Sequence, residues 1–352
     1  MAKQQIKHGA NTKEISIEYG IKEADIIDFS SNINPNIPSN LENMLIEALK
    51  KANSYPDINY KELRESISNY LDVDSSNIIV GNGASEIIYL LAKGLEKRGA
   101  VLNPTFSEYK RALNVANKEV ISIYRDKDFK IDMENIKQKI DEFDFLYICN
   151  PNNPTSSLDD LKDLIKYFMG KDKILIVDET FMEFCQDNEK TLLPFVKTHK
   201  NLIIIKAITK FFGLPGIRVG YGISSNIELL NKLWSIKEPW SVNTFGENIC
   251  KQVLMDKTYI KKSKEFYAGQ INYLYNELRK LPNFKAYEPN TNFILMKSKI
   301  LKASEIKEKL LLKHNILIRD CSNFDGLDEY YFRVAVKKKQ DNEKLIKGLR
   351  NL

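Results

Sequence analysis

The stretch at 201–222, NLIIIKAITKFFGLPGIRVGYG, decides how this chain is read. It opens on an unbroken apolar run at 202–205, branched and short enough to be a strand buried on both faces. Lys210 stands just past that strand, and Arg218 follows eight residues later, beyond a Gly-Leu-Pro-Gly turn. The spacing suits a lysine whose amine forms an imine with a carbonyl cofactor and an arginine that grips the cofactor's phosphate as a bidentate fork. A lysine in a loop is more often a solvated charge, so the assignment depends on the rest of the chain.

Working outward, the pattern upstream is strand, helix, strand, helix. Strands are predicted at 78–80, 101–102, 120–124, 145–149 and 174–177, and helices at 87–95, 107–116 and 158–169. Such alternation implies an α/β fold, a mostly parallel sheet with helices on both faces and ligand groups in the loops beyond the strand ends. Before it comes a short apolar segment at 26–29. Next is a helix opened by Ser39 and Glu42 as a capping box, with Leu41, Met44, Leu45, Ala48 and Leu49 on its apolar face. A further helix carries Leu63, Ile67, Tyr70 and Leu71. Past Trp240 a long helical periodicity covers 245–281, and short strands at 293–296, 316–318 and 331–336 then alternate with helices as a smaller α/β lobe. The expected division is an N-terminal arm at 1–40 joining the small domain, a large domain at 41–240 and a small C-terminal domain at 241–352.

Composition bounds the function. A chain of 352 residues exceeds the size at which one core stops growing, and 43% hydrophobic with 28% charged residues is ordinary for a globular protein. The net charge of +6 is scattered, and the run Lys337-Lys338-Lys339 reads as a solvated turn, so no nucleic-acid partner is expected. Net positive charge does help draw in an anionic metabolite. Cys149, Cys185, Cys250 and Cys321 form no C-x-x-C pair, which points to reduced thiols, with neither a zinc site nor a disulfide framework. The opening MAKQQIKHGANTKE lacks the apolar core of a signal peptide, and no run of about 18 apolar residues occurs, so a cytoplasmic protein without membrane contact is expected.

Two further motifs carry chemistry. Gly81-Asn82-Gly83-Ala84-Ser85-Glu86 leads from a strand into a helix, where glycines permit close backbone approach and the helix start offers amide donors to a phosphate. Asp178 ends a buried strand, and a carboxylate there could keep a heterocyclic nitrogen protonated. It could equally cap a helix or bind a metal.

These motifs occur in one order along the chain, together with the loop Asn150-Pro151-Asn152-Asn153-Pro154-Thr155. That order resembles the fold-type-I pyridoxal-phosphate (PLP) enzymes, in the branch containing histidinol-phosphate aminotransferase. Within the branch the resemblance is strongest to the decarboxylases of L-threonine O-3-phosphate in cobalamin biosynthesis. It is carried by His8-Gly9-Ala10-Asn11, DFSSNINP at 28–35, PTFSEY at 104–109, PWSVN at 239–243 and ILIRDCSNFDGLDEYYFRVAV at 316–336. The resemblance implies that Lys210 holds PLP covalently and later returns a proton to the substrate carbon. It also implies that Asp178 pairs with the pyridine nitrogen, Asn153 donates to the ring oxygen and Tyr109 stacks on the ring. Ala84, Ser85, Thr209 and Arg218 would hold the cofactor phosphate, with Tyr55 reaching it from the neighbouring subunit of a homodimer with shared sites. Arg333 would clamp the substrate carboxylate, beside Asn153, and Arg319, His8, Gly9 and Asn32 would take the phosphate of a small phosphorylated amino acid.

Three departures stand out: Phe181 where the aminotransferases have tyrosine, Ala207 for a family serine, and Ser156 for a family glycine. The implied reaction is loss of carbon dioxide from L-threonine O-3-phosphate to give (R)-1-amino-2-propanol O-2-phosphate. The alternatives are an aminotransferase of the histidinol-phosphate type, a decarboxylase of O-phosphoserine, or a binding protein that keeps the fold without turnover.

Overall fold

A computed structural model describes residues 9–186 and 190–352. In chain order its strands are β1 (Ile27–Asp28), β2 (Ile78–Gly81), β3 (Arg98–Asn103), β4 (Glu119–Tyr124), β5 (Phe145–Cys149), β6 (Ile174–Asp178) and β7 (Leu202–Ala207). There follow β8 (Gly220–Ile223), β9 (Phe284–Ala286), β10 (Phe293–Ser298), β11 (Ile316–Leu317), β12 (Arg319–Asp320) and β13 (Tyr331–Ala335). The apolar run that decides the reading is β7, an interior strand of a seven-stranded sheet ordered β2-β8-β7-β6-β5-β3-β4. Only β8 runs antiparallel to its neighbours, and the pairs from β7 to β4 are all parallel, as the strand–helix alternation predicts.

Both faces of this sheet are covered, and the two-residue side-chain period sorts the strand residues between them. Ile148, Val177 and Ile204 join the core on one face, whereas Cys149, Ile176 and Ile205 join that on the other. The same alternation turns Asp178 to the side of Ile176 and Lys206 to the side of Ile204. A second, four-stranded sheet ordered β12-β13-β10-β9 lies in the C-terminal part, and β1 pairs in parallel with β11. The residues just before the large sheet are thereby attached to the C-terminal part of the chain.

Four local expectations are corrected. The first is the capping box: the helix Leu41–Leu49 starts two residues after Ser39, with Asn40 at its N-cap and no side-chain cap bond. A turn closed by Leu41 N–H on Pro38 O, at 3.2 Å, occupies the place of the Ser39 cap. Of the proposed apolar face, Met44 and Ala48 are buried but Leu45 and Leu49 are exposed. Second, the periodicity at 245–281 is two helices, Thr244–Val253 and Lys257–Leu278, because the Asp256 side chain accepts from Tyr259 N–H at 2.8 Å and starts a new one. The third correction is at 158, where the helix begins only at Lys162. Last, only Ile316 and Leu317 of the run at 316–318 form a strand, β11 on β1, and the chain enters the other sheet at Arg319, as β12 on β13.

Candidate active site

The C-terminal ends of the parallel strands open into a cavity of about 660 Å³. Ala84, Ser85, Thr209 and Arg218 line one part of it, and Tyr109, Asn153, Asp178 and Lys210 another. Gly9, Asn32, Arg319 and Arg333 complete the wall from the N-terminal arm and the small sheet. Residues far apart in the chain therefore converge because the sheet brings its loops together at one edge.

One end of the cavity fits a phosphate. The helix Gly83–Gly94 presents the unbonded amides of its first turn there, and Arg218 adds a cation. Gly83 has φ +77°, and a Cβ at that position would lie 2.4 Å from Arg218 Nη2. The guanidinium thus packs directly on the backbone of the first turn, a cradle that a side chain would fill. Arg218 itself takes the left-handed conformation, φ 59°, after the turn ending at Ile217.

The centre of the cavity fits a protonated heterocycle beside a reactive amine. Asp178 is buried, with Oδ2 accepting from Tyr109 OH at 2.8 Å and Oδ1 from Thr180 N–H at 2.9 Å. Burial pushes its carboxyl above the usual range, against the opposing donors Thr180 and Tyr109 and the charge of Lys206. The Tyr109 ring is held parallel to Tyr147, with centroids 5.1 Å apart, so both its plane and its hydroxyl are fixed. The Lys210 amine is pushed down to about 8, first by burial and then by the nearby Arg333 and Arg218, with Asp178 opposing.

The far end fits two anionic groups. Arg319 and Arg333 are direct cross-strand partners on β12 and β13, and both are buried. Like charges placed opposite one another are unfavourable unless anions or acceptors compensate them. Arg333 donates to Asn153 Oδ1 and, at 2.8 Å, to Ser30 O, and burial pushes it down to about 10. Arg319 donates to Asp320 O and, at 2.7 Å, to Asn323 Oδ1. Beside them Asn32 Oδ1 is buried without a hydrogen-bond partner among the described residues.

Two predicted site residues are not brought into the cavity. Tyr55 is 81% exposed and packs at a tilt on Trp240, with centroids 4.7 Å apart. His8 lies outside the described residues. Conversely, sequence reading missed Tyr89, Glu108, Arg111, Phe324 and Ser30, all of which line the cavity. Tyr89 OH donates to Glu108 Oε2 at 2.9 Å, and Arg111 donates to the same oxygen at 3.3 Å. The signal was there for two of them, because Glu108 and Arg111 share one helical turn with Tyr109. Nothing in the local sequence marks Tyr89 or Phe324.

The family description for aminotransferases of class I and II matches residues 24–349. The chain belongs to that family. A protein provisionally named threonine-phosphate decarboxylase, from Caldanaerobacter subterraneus subsp. tengcongensis, is 42% identical over 332 residues, which cover 92% of this chain and 89% of the relative. The threonine-phosphate decarboxylase of Salmonella typhimurium is 31% identical, covering 98% of this chain and 96% of its own. Among solved structures, the histidinol-phosphate aminotransferase of Clostridium acetobutylicum has a TM-score of 0.88 at 36% identity, covering 92% of this chain and 98% of its own. Its architecture is that of the α/β fold described above.

This aminotransferase family depends on PLP, and the donor set of the cavity fits that cofactor. Two of the three departures from the family pattern, Ser156 and Phe181, also find physical reasons. Ser156 has φ 61°, a conformation that favours glycine, but its hydroxyl accepts from the amides of Asn290 at 3.0 Å and Thr291 at 3.1 Å. Two such bonds, at about 1 kcal/mol each, offset the cost of the backbone. Phe181 packs on Phe293, with centroids 5.1 Å apart, and so presents an apolar wall where tyrosine would present a donor.

Because the Lys210 amine sits near 8, its uncharged, nucleophilic fraction falls about tenfold per pH unit below that value. Capture of PLP by cofactor-free protein, followed by absorbance, is expected to quicken up to pH 8 and level off above it. A rate that keeps rising toward pH ~10 would mean that Lys210 keeps ordinary lysine basicity.

Proposed function

We propose that the protein is a PLP-dependent decarboxylase of L-threonine O-3-phosphate. The observation that carries this reading is the cross-strand pair of buried arginines, Arg319 and Arg333, facing one cavity with Lys210. A substrate with both a carboxylate and a phosphate satisfies both cations at once. The named relatives at 42% and 31% identity support it further.

When bound, PLP supplies an electron sink for the pair released as a bond to the substrate α-carbon breaks. In this reading the first turn of Gly83–Gly94, Thr209 and Arg218 hold its phosphate, Asn153 donates to its ring oxygen, and Asp178 holds a proton on its ring nitrogen. Tyr109 keeps Asp178 in place and covers the ring. Arg333 grips the substrate carboxylate and thereby orients the bond that breaks. Arg319 and Asn32, with Gly9 and His8 of the N-terminal arm, bind the substrate phosphate. Carbon dioxide leaves, and the Lys210 amine delivers a proton to the same carbon, which balances the reaction as one carboxylate exchanged for one hydrogen.

The same reading includes a large domain at 41–240 and a small one at 241–352, and a homodimer in which Tyr55 completes the partner's phosphate site. The exposed Tyr55–Trp240 pair supports that last element. The four cysteines are free and buried, in keeping with a cytoplasmic protein.

The test is an end-point assay on PLP-loaded protein given L-threonine O-3-phosphate and no oxo acid. Carbon dioxide and the phosphorylated amine are expected in equal amounts. O-Phosphoserine, one methyl group smaller, is expected to react more weakly by about 1–3 kcal/mol in specificity. The second reading is an aminotransferase of histidinol phosphate, favoured by the solved relative at 36% identity. Amino transfer from histidinol phosphate to 2-oxoglutarate, without release of carbon dioxide, would establish it in place of the first.

A further inference from the structure

The turn at 321–327 follows Arg319 and brings Phe324 to the cavity wall. It is built of successive short turns, with Phe324 N–H on Cys321 O and Leu327 N–H on Phe324 O, both at 3.0 Å. It also wraps Arg319, whose guanidinium lies over the Phe324 ring at 5.1 Å and donates to Asn323. On one side the turn is packed, Cys321, Phe324 and Leu327 joining Phe129 and Leu295 in a small apolar cluster; on the other it faces open space. A second cavity of about 410 Å³ lies between it and the connection from β3 to the helix Glu108–Val115, and Phe106 and Phe324 line both cavities.

A carboxylate ties the outer end of this turn to the large-sheet side. Asp325 Oδ2 meets Lys110 Nζ at 3.1 Å, and its Oδ1 accepts from Tyr124 OH at 3.1 Å. Lys110 belongs to the helix that also carries Tyr109, and Tyr124 ends β4, so both anchors stand on the large-sheet side. Gly326, with φ +93°, lets the backbone pass the Tyr124 ring, where a Cβ would come within 3.2 Å.

We propose that Asp325 is a positioning residue for the substrate phosphate: by fastening the turn at 321–327 to Lys110 and Tyr124 across an open cavity, it sets where Arg319 and Phe324 stand. The inference rests on the reading of Arg319 as a phosphate ligand. Asp325 touches no substrate. The inner side of the turn is packed but its tip faces the second cavity, so removing the fastening there loosens the tip, and with it the Asn323 and Phe324 contacts that set the Arg319 guanidinium. The expected consequence is a weaker hold on the phosphorylated substrate with little change in the chemical step.

The test uses the holoenzyme with L-threonine O-3-phosphate and four variants. Asp325→Asn is expected to raise KM about fivefold while kcat stays within about twofold, and to speed hydrogen exchange at the amides of residues 323–326. Reversing the pair, with Lys110→Asp and Asp325→Lys together, is expected to restore most of the KM and the protection. Lys344→Ala, which breaks the 3.9 Å pair with Asp341 on the C-terminal helix, should change neither. Arg319→Ala separates the two levels of the argument. If it raises KM strongly while Asp325→Asn does not, the phosphate reading stands and the fastening is refuted. If Arg319→Ala itself leaves KM unchanged, the phosphate reading fails and the role of Asp325 fails with it.

Discussion

Replacing Lys210 with alanine is expected to slow decarboxylation of L-threonine O-3-phosphate on the order of 10⁴-fold, because in the proposed reaction one side chain both anchors the cofactor and moves the proton. The fold should survive the change. The Lys210 carbonyl accepts from Asn34 N–H at 3.1 Å and Gly213 N–H at 3.2 Å, so the backbone is held independently of the amine. A second measurement keeps the result from depending on rate alone. After borohydride treatment, the wild-type peptide carrying Lys210 should gain the mass of the cofactor, and the variant protein should gain none at any lysine. If another lysine is labelled in the wild-type protein, or the variant keeps its activity, Lys210 is not the anchoring residue.

Lys206→Met is expected to produce the largest loss of stability. Lys206 is buried on the face of the sheet opposite Asp178, with Nζ 2.9 Å from Glu183 Oε1 and 3.3 Å from Glu179 Oε2. Desolvation pulls its pKa down, but the Glu183 and Glu179 carboxylates outweigh that and hold it above the ordinary lysine range. Glu179 also accepts from Leu192 N–H at 2.7 Å and from the Thr191 hydroxyl at 2.6 Å, so the cluster ties the end of β6 to the following loop. Removing only the cation leaves two buried carboxylates without a counter-charge, which costs about 3–5 kcal/mol. For a chain of this size that corresponds to a fall of roughly 4–7 °C in the apparent Tm by scanning calorimetry. Adding Glu179→Gln and Glu183→Gln to the variant should recover part of the loss. A melting temperature within about 1 °C of wild type would show that the cluster contributes nothing.

The effect should reach the site as well, since Glu179 is adjacent to Asp178 and Lys206 lies four residues before Lys210. Glu179 N–H donates to Ile205 O at 2.8 Å, which joins the two strand ends. Weakened PLP retention in Lys206→Met, measured as cofactor lost on dialysis, should therefore accompany the lower Tm.

The sequence by itself determined the sheet and the chemical inventory. Apolar runs such as that of β7 are local signals, because a strand buried on both faces must be apolar along its length whatever its neighbours. The residue types needed for an imine-forming lysine, a phosphate cradle and a strand-end carboxylate lie in short loops directly after such strands, so finding the strands located Lys210, Ala84, Ser85 and Asp178. Helix boundaries were read less well where short-range bonds decided them, as at Pro38 and Asp256, since one hydrogen bond shifts a helix start without altering its periodicity.

Tertiary structure alone decided which side chains meet. That Arg319 and Arg333 stand opposite one another depends on the register of β12 against β13, and nothing in the sequence at 316–320 shows that its two ends join different sheets. The contribution of Tyr89 and Phe324 to the cavity, and the fastening of Asp325 to Lys110 across more than two hundred positions, are long-range contacts of the same kind. Local propensity and periodicity act within a few turns of chain, whereas a site is a convergence of loops set by sheet order. The sequence could therefore name the candidate reacting groups, but only the fold could place the two buried cations in one cavity with them.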